Sequence, residues 1–408
     1  MDWSDTQQEA AFRGRVRELV ETKLPGRYRD LAESDHRGSN YPWAVDRASG
    51  DPERERASRE WLEAVAAERW VAPHWPAEYG GGGLSWMEQF ILNAELARAN
   101  VAPPASNVGL NMLGPTLIVH GTDEQKARFL PPILSGDIVW AQGFSEPGAG
   151  SDLASLQTRA VRDGDEYVVN GQKVWTSHAH YADWIMLLSR TNPEAPKHRG
   201  ITFLLVDLRS PGVTINPLIN MAWGHEFNEE FFEDVRVPAD QMVGEENRGW
   251  YVAMTLLDNE RSNITGAMSV QRKIDRLLAY LGSEEGARRS RLSRHDALRQ
   301  QIAQRAVEAA VLFNLSLRII TMQRQGMVPN YEASASKIVG YEAEQGLNIA
   351  ATKAFGLYAN LWDPEDPAAT MEAGFTHGYI ERAASIGGGT LEIQRNVIAT
   401  RGLGLPRG

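Results

Sequence analysis

Apolar and polar positions along this chain fall into three textures, and the last of them contains the longest regular pattern. From Gly249 to Leu281 apolar residues recur every three or four positions with no proline among them, which predicts one long helix. Glu260 lies on its apolar stripe with Leu256, Leu257, Ile264 and Ala267, while Arg261 points elsewhere. A carboxyl buried there is either a group whose pKa is raised toward that of a general base, or a structural acid paired with a distant Lys or Arg.

Upstream, Ser4 with Gln7 predicts a capping box opening a helix through Leu24, with Pro25 as its stop. After a charged connection, Glu60 to Arg69 reads as a helix. Pro73-His74-Trp75-Pro76 and Gly80-Gly81-Gly82-Gly83 make a rigid turn and a flexible one before a helix from Ser85 to Asn100. Thr122 with Gln125 is a second capping box, on a short helix expected to end before Pro131-Pro132.

From about Asp137 the texture changes to short β-rich runs. These are Ile138–Phe144, Gln157–Val161, Tyr167–Val169, Lys173–Thr176, Trp184–Ser189, Ile201–Asp207, Val213–Ile215 and Phe231–Val237. Asp163-Gly164 and Asn170-Gly171 read as hairpin turns between them. Strands so spaced, without intervening helices, predict an antiparallel sandwich or barrel. After Pro238 helices return: beyond the Gly249 helix, about Arg294–Gln325, Glu332–Phe355, Ala368–Ser385 and a last one after Thr390. The expected class is α+β, mostly α, with a helical domain over 1–136, a β domain over 137–245 and a helical bundle over 246–408.

Composition narrows the function classes. A chain of 408 residues is long enough for two or three domains, and 53 Asp+Glu against 42 Lys+Arg give a formal charge of −11. That is the wrong sign for a general nucleic-acid or anionic-membrane binder. The absence of cysteine excludes disulfides, thiolate nucleophiles and Cys-based metal or cluster sites, and no metal is expected. No basic-then-apolar leader opens the chain and no apolar run approaches the ~18 residues of a membrane span, so a soluble cytoplasmic protein is expected. GxGxxG after a strand, GxxxxGK[ST], HExxH and GxSxG are all missing, so no nucleotide is expected in a Rossmann crevice.

Three runs carry candidate chemistry. Gly148-Ala149-Gly150-Ser151 either lets backbone N–H groups and a hydroxyl approach a phosphate or pantetheine, or is a tight turn. Trp175 reads by itself as a core aromatic of a β domain. Gly387-Gly388-Gly389 before Thr390 is a flexible helix entry or a ligand loop.

Taken together, Phe144-Ser145-Glu146-Pro147-Gly148-Ala149-Gly150-Ser151-Asp152 resembles the TEPGAGSD signature of the acyl-CoA dehydrogenase family. Asn170-Gly171-Gln172-Lys173-Val174-Trp175-Thr176-Ser177 resembles its NGxKxWITN strand, and Gly387 to Asn396 its GGTxEIQRN segment. With Pro73 to Gly81 the resemblance covers nearly the whole chain. It implies an N-terminal helical domain, a middle antiparallel β domain and a C-terminal four-helix bundle. It also implies FAD, with Gln142, Ser145, Trp175, Thr176, Ser177, Thr390 and Glu392 on the cofactor side. Ser151, Arg261, Gly388 and Gly389 would touch an acyl-CoA substrate, and electrons would leave to an electron-transfer flavoprotein.

Many members carry the catalytic Glu at the position that is Gly388 here. Asp258-Asn259-Glu260-Arg261 resembles the branch that places it on the long helix, similar to isovaleryl-type and bacterial sterol side-chain enzymes, so the resemblance implies Glu260 as catalytic base. The RxxFG and QxxGGxG segments, which help hold a neighbour's FAD, are replaced by Arg288-Arg289-Ser290-Arg291-Leu292 and Thr352-Lys353-Ala354-Phe355-Gly356-Leu357. The Arg run is a solvated face or a phosphate contact. Homotetramer and heterotetramer with a related chain both stay open, as do an oxidase or monooxygenase on the same fold and a subunit that needs a partner to complete its FAD site.

Overall fold

The computed structural model describes residues 4–34, 42–105, 107–258 and 264–406. Helix α1 (Gln7–Lys23) is opened by Thr6, whose side chain accepts from Glu9 N–H while the Glu9 carboxylate accepts from Thr6 N–H. The capping box therefore sits two residues beyond the Ser4–Gln7 frame, because only Thr6 places an acid at the third helical position. Pro25 ends α1 and leads into α2 (Gly26–Glu33), followed by α3 (Pro42–Arg47). Helix α4 (Pro52–Ala67) starts well before the expected Glu60, since Asp51 accepts from Glu53 N–H and Pro52 supplies a preset first helical residue. The helix expected over Ser85–Asn100 is α5 (Trp86–Arg98), and Ser85 and Glu88 form a capping box at its start.

After α6 (Gly114–His120), Thr122 and Gln125 form the expected box on α7 (Asp123–Leu134). That helix runs through Pro131 and Pro132 instead of stopping ahead of them. Proline's fixed φ is helical, and the carbonyls of both still accept, from Ser135 and Ile138.

The β runs become β1 (Trp140–Gly143), β2 (Arg159–Asp163), β3 (Glu166–Ser177), β4 (Trp184–Arg190), β5 (Ile201–Asp207), β6 (Val213–Leu218), β7 (Phe227–Pro238) and β8 (Met242–Val243). They form one sheet in the order β6-β7-β3-β2-β4-β5-β8, with β1 beside β4. Pairing is antiparallel except for β1–β4 and β2–β4. The turn at Gly164 joins β2 to β3 as expected. Asn170-Gly171 does not turn the chain: β3 passes through it as a bulge. The Asn170 amide donates to the Asp234 carboxylate and its oxygen accepts from Asp234 N–H, both at 2.9 Å, so the side chain closes a lateral contact with β7. Tyr167, Val169, Ile185, Leu187, Leu204, Val206, Phe232 and Val235 form the buried face of this sheet.

Downstream lie α8 (Gly249–Asp258), α9 (Ile264–Gly282), α10 (Glu284–Arg289), α11 (Asp296–Arg324), α12 (Tyr331–Phe355), α13 (Gly374–Ile380) and α14 (Leu391–Val397). The pattern read as one helix from Gly249 to Leu281 thus covers α8 and α9, and the residues joining them lie outside those described. The expected Ala368–Ser385 helix shrinks to α13, because Met371, Glu372 and Ala373 adopt positive φ just before it. An 18-residue window of α11 reaches a mean hydropathy of 1.2, so one helix does meet the length and composition of a membrane span. Leu298, Ile302, Leu312, Leu317 and Ile320 of α11 are buried, while Val307 and Val311 are exposed.

The described residues fall into two compact units. One comprises those within 1–40, 85–102 and 262–408; the other, those within 41–84 and 103–261. In the first, α5 packs on α1, α9 and α11, and α9, α11, α12 and α13 share a core of Ile274, Leu277, Ile302, Leu347, Ala351 and Phe375. The Glu95 carboxylate of α5, nearly buried, takes Arg13 at 2.7 Å and Arg17 at 2.8 Å. In the second unit Trp75 is fully buried, its indole donating to Leu110 O at 2.8 Å, with its ring against the bare Cα of Gly114.

Candidate active site

In the β-containing unit, the Phe144–Asp152 run is a tight turn fastened from inside. Glu146 N–H donates to Ala149 O and Ala149 N–H to Glu146 O, which closes the turn. The Glu146 carboxylate points inward and accepts from Lys173 Nζ at 2.8 Å, Gln157 N–H at 2.6 Å and Thr158 N–H at 2.8 Å. Lys173, fully buried, also donates to Phe144 O at 3.1 Å. Burial works against ionisation of Glu146, but the adjacent ammonium outweighs it and holds the carboxyl below its ordinary range. Burial likewise lowers Lys173 to about 8, against the pull of Glu146. The two directions conflict; we take the ion pair as the ground state, because the carboxylate also collects two backbone N–H donors. The anchorage leaves Pro147, Gly148, Gly150 and Ser151 exposed, beside a concavity of about 420 Å³. Gln142 on β1 and Ser145 are half-buried, and Ser145 O accepts from Val174 N–H.

Strand β3 then separates three neighbouring candidates. A second bulge between Val174 and Thr176 gives Trp175 a φ of 63° and leaves its side chain 57% exposed, edge-on to Phe227. Ser177 is exposed as well. Thr176 is 1% exposed, and its hydroxyl donates to the Glu230 carboxylate on β7. The Thr176 side chain therefore faces the interior, while Trp175 and Ser177 on either side of it are exposed.

Behind Thr176 lies a polar cluster that sequence reasoning missed. Burial pushes Glu230 up to about 7 against its bond from Thr176, and its Oε1 has no hydrogen-bond partner among the described residues. Asn228, fully buried, donates to Thr176 O at 3.0 Å, and its oxygen meets His180 Nδ1 and His225 Nε2, each at 3.0 Å. His180 and His225 stack with ring centroids 3.9 Å apart. Burial, then His180 and His225, lower the neighbouring His178 to about 4. The signal was present: Asn228 and Glu230 alternate with Phe232 on the otherwise apolar inward face of β7.

Glu260 and Arg261 lie outside the described residues. The Gly387–Thr390 loop is described in full. Lys337 Nζ of α12 donates to Gly387 O, and to Gly389 O at 2.7 Å. The Gln394 amide donates to Gly388 O at 3.0 Å and to Gly389 O at 3.3 Å. Thr390 caps α14 by accepting from Ile393 N–H at 3.2 Å, and Glu392 is exposed. Gly388 and Gly389 have φ of 63° and 85°, where a side chain is strained. In the arginine run, Arg289 pairs with Glu285 at 2.9 Å and donates to Pro367 O, while Arg291 lies 3.2 Å from His295. Both are engaged within their own unit, which favours the reading of that run as a surface face over a phosphate contact.

The outward Trp175 and Ser177, held by an inward-anchored strand, fit a flat ring cofactor such as a flavin. Among the described residues the N–H groups of Gly388 and Gly389 have no acceptor, which fits an anionic oxygen.

Comparison with known proteins agrees along the whole length. Residues 6–137, 141–235 and 247–403 match the N-terminal, middle and C-terminal domain models of acyl-CoA dehydrogenase. Acyl-CoA dehydrogenase IpdE1 of Mycobacterium tuberculosis is 36% identical over 407 residues, 97% of each chain. Acyl-CoA dehydrogenase FadE34 of the same organism is 40% identical over 84% of this chain, which spans 46% of that longer protein. Among solved structures, the Tcur3481-Tcur3483 steroid ACAD superposes with a TM-score of 0.83 at 33% identity, covering 100% of both chains. The ChsE4-ChsE5 complex from Mycobacterium tuberculosis gives 0.80 at 35%, again over 100% of both.

Proposed function

Since this chain belongs to the acyl-CoA dehydrogenase family, we propose that it desaturates an acyl-CoA thioester between Cα and Cβ with Glu260 as the base. The observation that carries the reading is the Gly387–Thr390 loop. It holds no acid, and among the described residues the N–H groups of Gly388, Gly389 and Thr390 have no acceptor. The loop is therefore built to donate and not to take a proton. The acid must come from elsewhere, and the sequence supplies one on the apolar stripe of the long helical pattern.

The residues divide the work as follows. Trp175 and Ser177 hold FAD, with Gln142, Ser145, Thr390 and Glu392. Bound FAD supplies the hydride acceptor for the β-carbon. Glu260 removes the α-proton and retains it, and the Gly388 N–H meets the negative charge that develops on the thioester oxygen. Ser151, Arg261 and Gly389 orient the thioester.

The steroid ACAD similarity over the full chain supports a bulky, sterol-derived acyl group. A related partner chain is favoured over four identical subunits, because Arg289 and Arg291 are engaged locally and the similar ChsE4-ChsE5 structure is a complex of two chains. The electron acceptor we propose is an electron-transfer flavoprotein in the cytoplasm.

The test is Glu260→Gln in the flavin-loaded protein under single turnover. FAD and acyl-CoA binding should persist while flavin reduction slows by at least about 10²- to 10⁴-fold. An unchanged reduction rate would remove Glu260 from the role.

A further inference from the structure

We propose that Lys337 is a positioning residue that aims the Gly388 and Thr390 N–H groups at the substrate oxygen. The inference rests on the function proposed above and names a group 50 residues from the loop it controls.

Three glycines in a row have more backbone freedom than any other tripeptide, so the loop cannot hold its own geometry. Its N–H directions must be imposed from outside. A trans peptide is planar with C=O and N–H antiparallel, so fixing a carbonyl fixes the next residue's N–H on the opposite side. Lys337 takes the carbonyls of Gly387 and Gly389. The N–H groups of Gly388 and Thr390 must therefore point away from α12. Gln394 takes the carbonyl of Gly388, which turns the Gly389 N–H away from α14. All three carbonyls are held, and no acceptor among the described residues takes the three N–H groups.

An ammonium suits this task, since its three rotatable donors can serve two carbonyls at once. Its own placement is secure. Helix α12 buries Ala343, Leu347, Ala350, Ala351 and Phe355 in the unit's core, so Lys337 projects from a fixed backbone. A Cβ at Gly388 would lie 3.2 Å from Lys337 Nζ, so the glycine also leaves room for the clamp.

The test compares two ligands on the full-length, flavin-loaded protein. A 3-ketoacyl-CoA can bind as its enolate and needs the oxygen donors; the matching alkyl-CoA thioether has no carbonyl. Lys337→Met should weaken the 3-ketoacyl-CoA by about 10-fold or more, less than the 10²–10³ of deleting a donor outright, and leave the thioether within about twofold. Lys337→Arg should restore most of the difference, and Lys337→Gln, with a shorter neutral donor, should fall between. In the flavin-loaded protein, Lys337→Met should leave the amide-exchange protection of α12 unchanged.

Equal weakening of both ligands, or exchange that spreads through α12, would show a merely structural lysine and overturn the proposal. So would a Lys337→Met protein that keeps the wild-type preference for the 3-ketoacyl-CoA. If the wild-type protein binds neither ligand, the dehydrogenase reading itself fails and takes this one with it.

Discussion

Thr176 donates its hydroxyl hydrogen to Glu230 across β3 and β7, and this inward bond sets it between two exposed neighbours, Trp175 and Ser177. The arrangement makes an unusual pH prediction. Lys173 and Thr176 favour the ionised Glu230, whereas burial and Glu229 oppose it, and the net result lifts the carboxyl from 4.5 to about 7. A raised acid contributes stability that is complete below pH 4.5 and is lost as pH rises through 7, here about 2–3 kcal/mol between pH 5 and 8. His178, depressed to about 4, has the opposite sign, since its contribution is lost as pH falls below 6.5. Glu230→Gln should therefore gain stability relative to wild type on going from pH 5 to 8, and His178→Asn should lose less than wild type on acidification. Parallel pH profiles of chemical unfolding for Glu230→Gln and wild type would refute the assignment.

Removing one partner of the Lys173–Glu146 pair leaves the other charged and buried. Lys173→Met should cost about 3–5 kcal/mol, and Lys173→Met with Glu146→Gln should cost less than the sum of the single changes. Because the pair fastens the Phe144–Asp152 turn, the single variant should also lose acyl-CoA affinity. A double-mutant cycle in thermal unfolding, with no coupling as the adverse result, decides the point.

Trp175 is more than half exposed, so its loss should be nearly silent in the flavin-free protein. Trp175→Leu is expected to change flavin-free stability by no more than about 0.5 kcal/mol while lowering the FAD retained through gel filtration. Full retention of FAD would argue that the ring cofactor lies elsewhere.

Gly114 offers the bluntest packing test. A Cβ there would stand 1.8 Å from the Trp75 ring, whose indole is fixed by Leu110 O. Gly114→Ala should cost about 3 kcal/mol or more through overpacking, and Gly114→Ala with Trp75→Leu should recover part of it. A melting temperature unchanged by Gly114→Ala would mean the helix can shift freely at this contact.

The local signals were the ones legible in advance. Thr122–Gln125 satisfies its cap within four residues, and the nearly continuous apolar runs Trp184–Leu188 and Ile201–Val206 are marked enough to give β4 and β5. Asn170-Gly171 misled because its outcome depends on Asp234, on another strand 64 residues away. The site divides along the same line. Trp175, Ser177 and the glycine loop were marked by motif, and the inward turn of Thr176 depends on a bulge that only pairing with β7 creates. Lys337 has no distinguishing neighbours in sequence, and only the packing of α12 beside the loop gives it a role.

The two compact units also bear on how the chain is made. It passes from one to the other four times, so neither unit is a continuous stretch of sequence. Helix α5 leaves the ribosome with one apolar flank meant for α1 and another meant for α9, whose residues are translated long afterwards. At 5–20 residues per second the wait is roughly ten to thirty seconds, and Phe90, whose ring meets Phe313 of the still later α11, has no permanent cover during it. Fragments cut near 136 or 245 inherit that exposure permanently. The nascent protein is thus a natural client for a holding chaperone, and release of its C-terminal third is what closes the first unit.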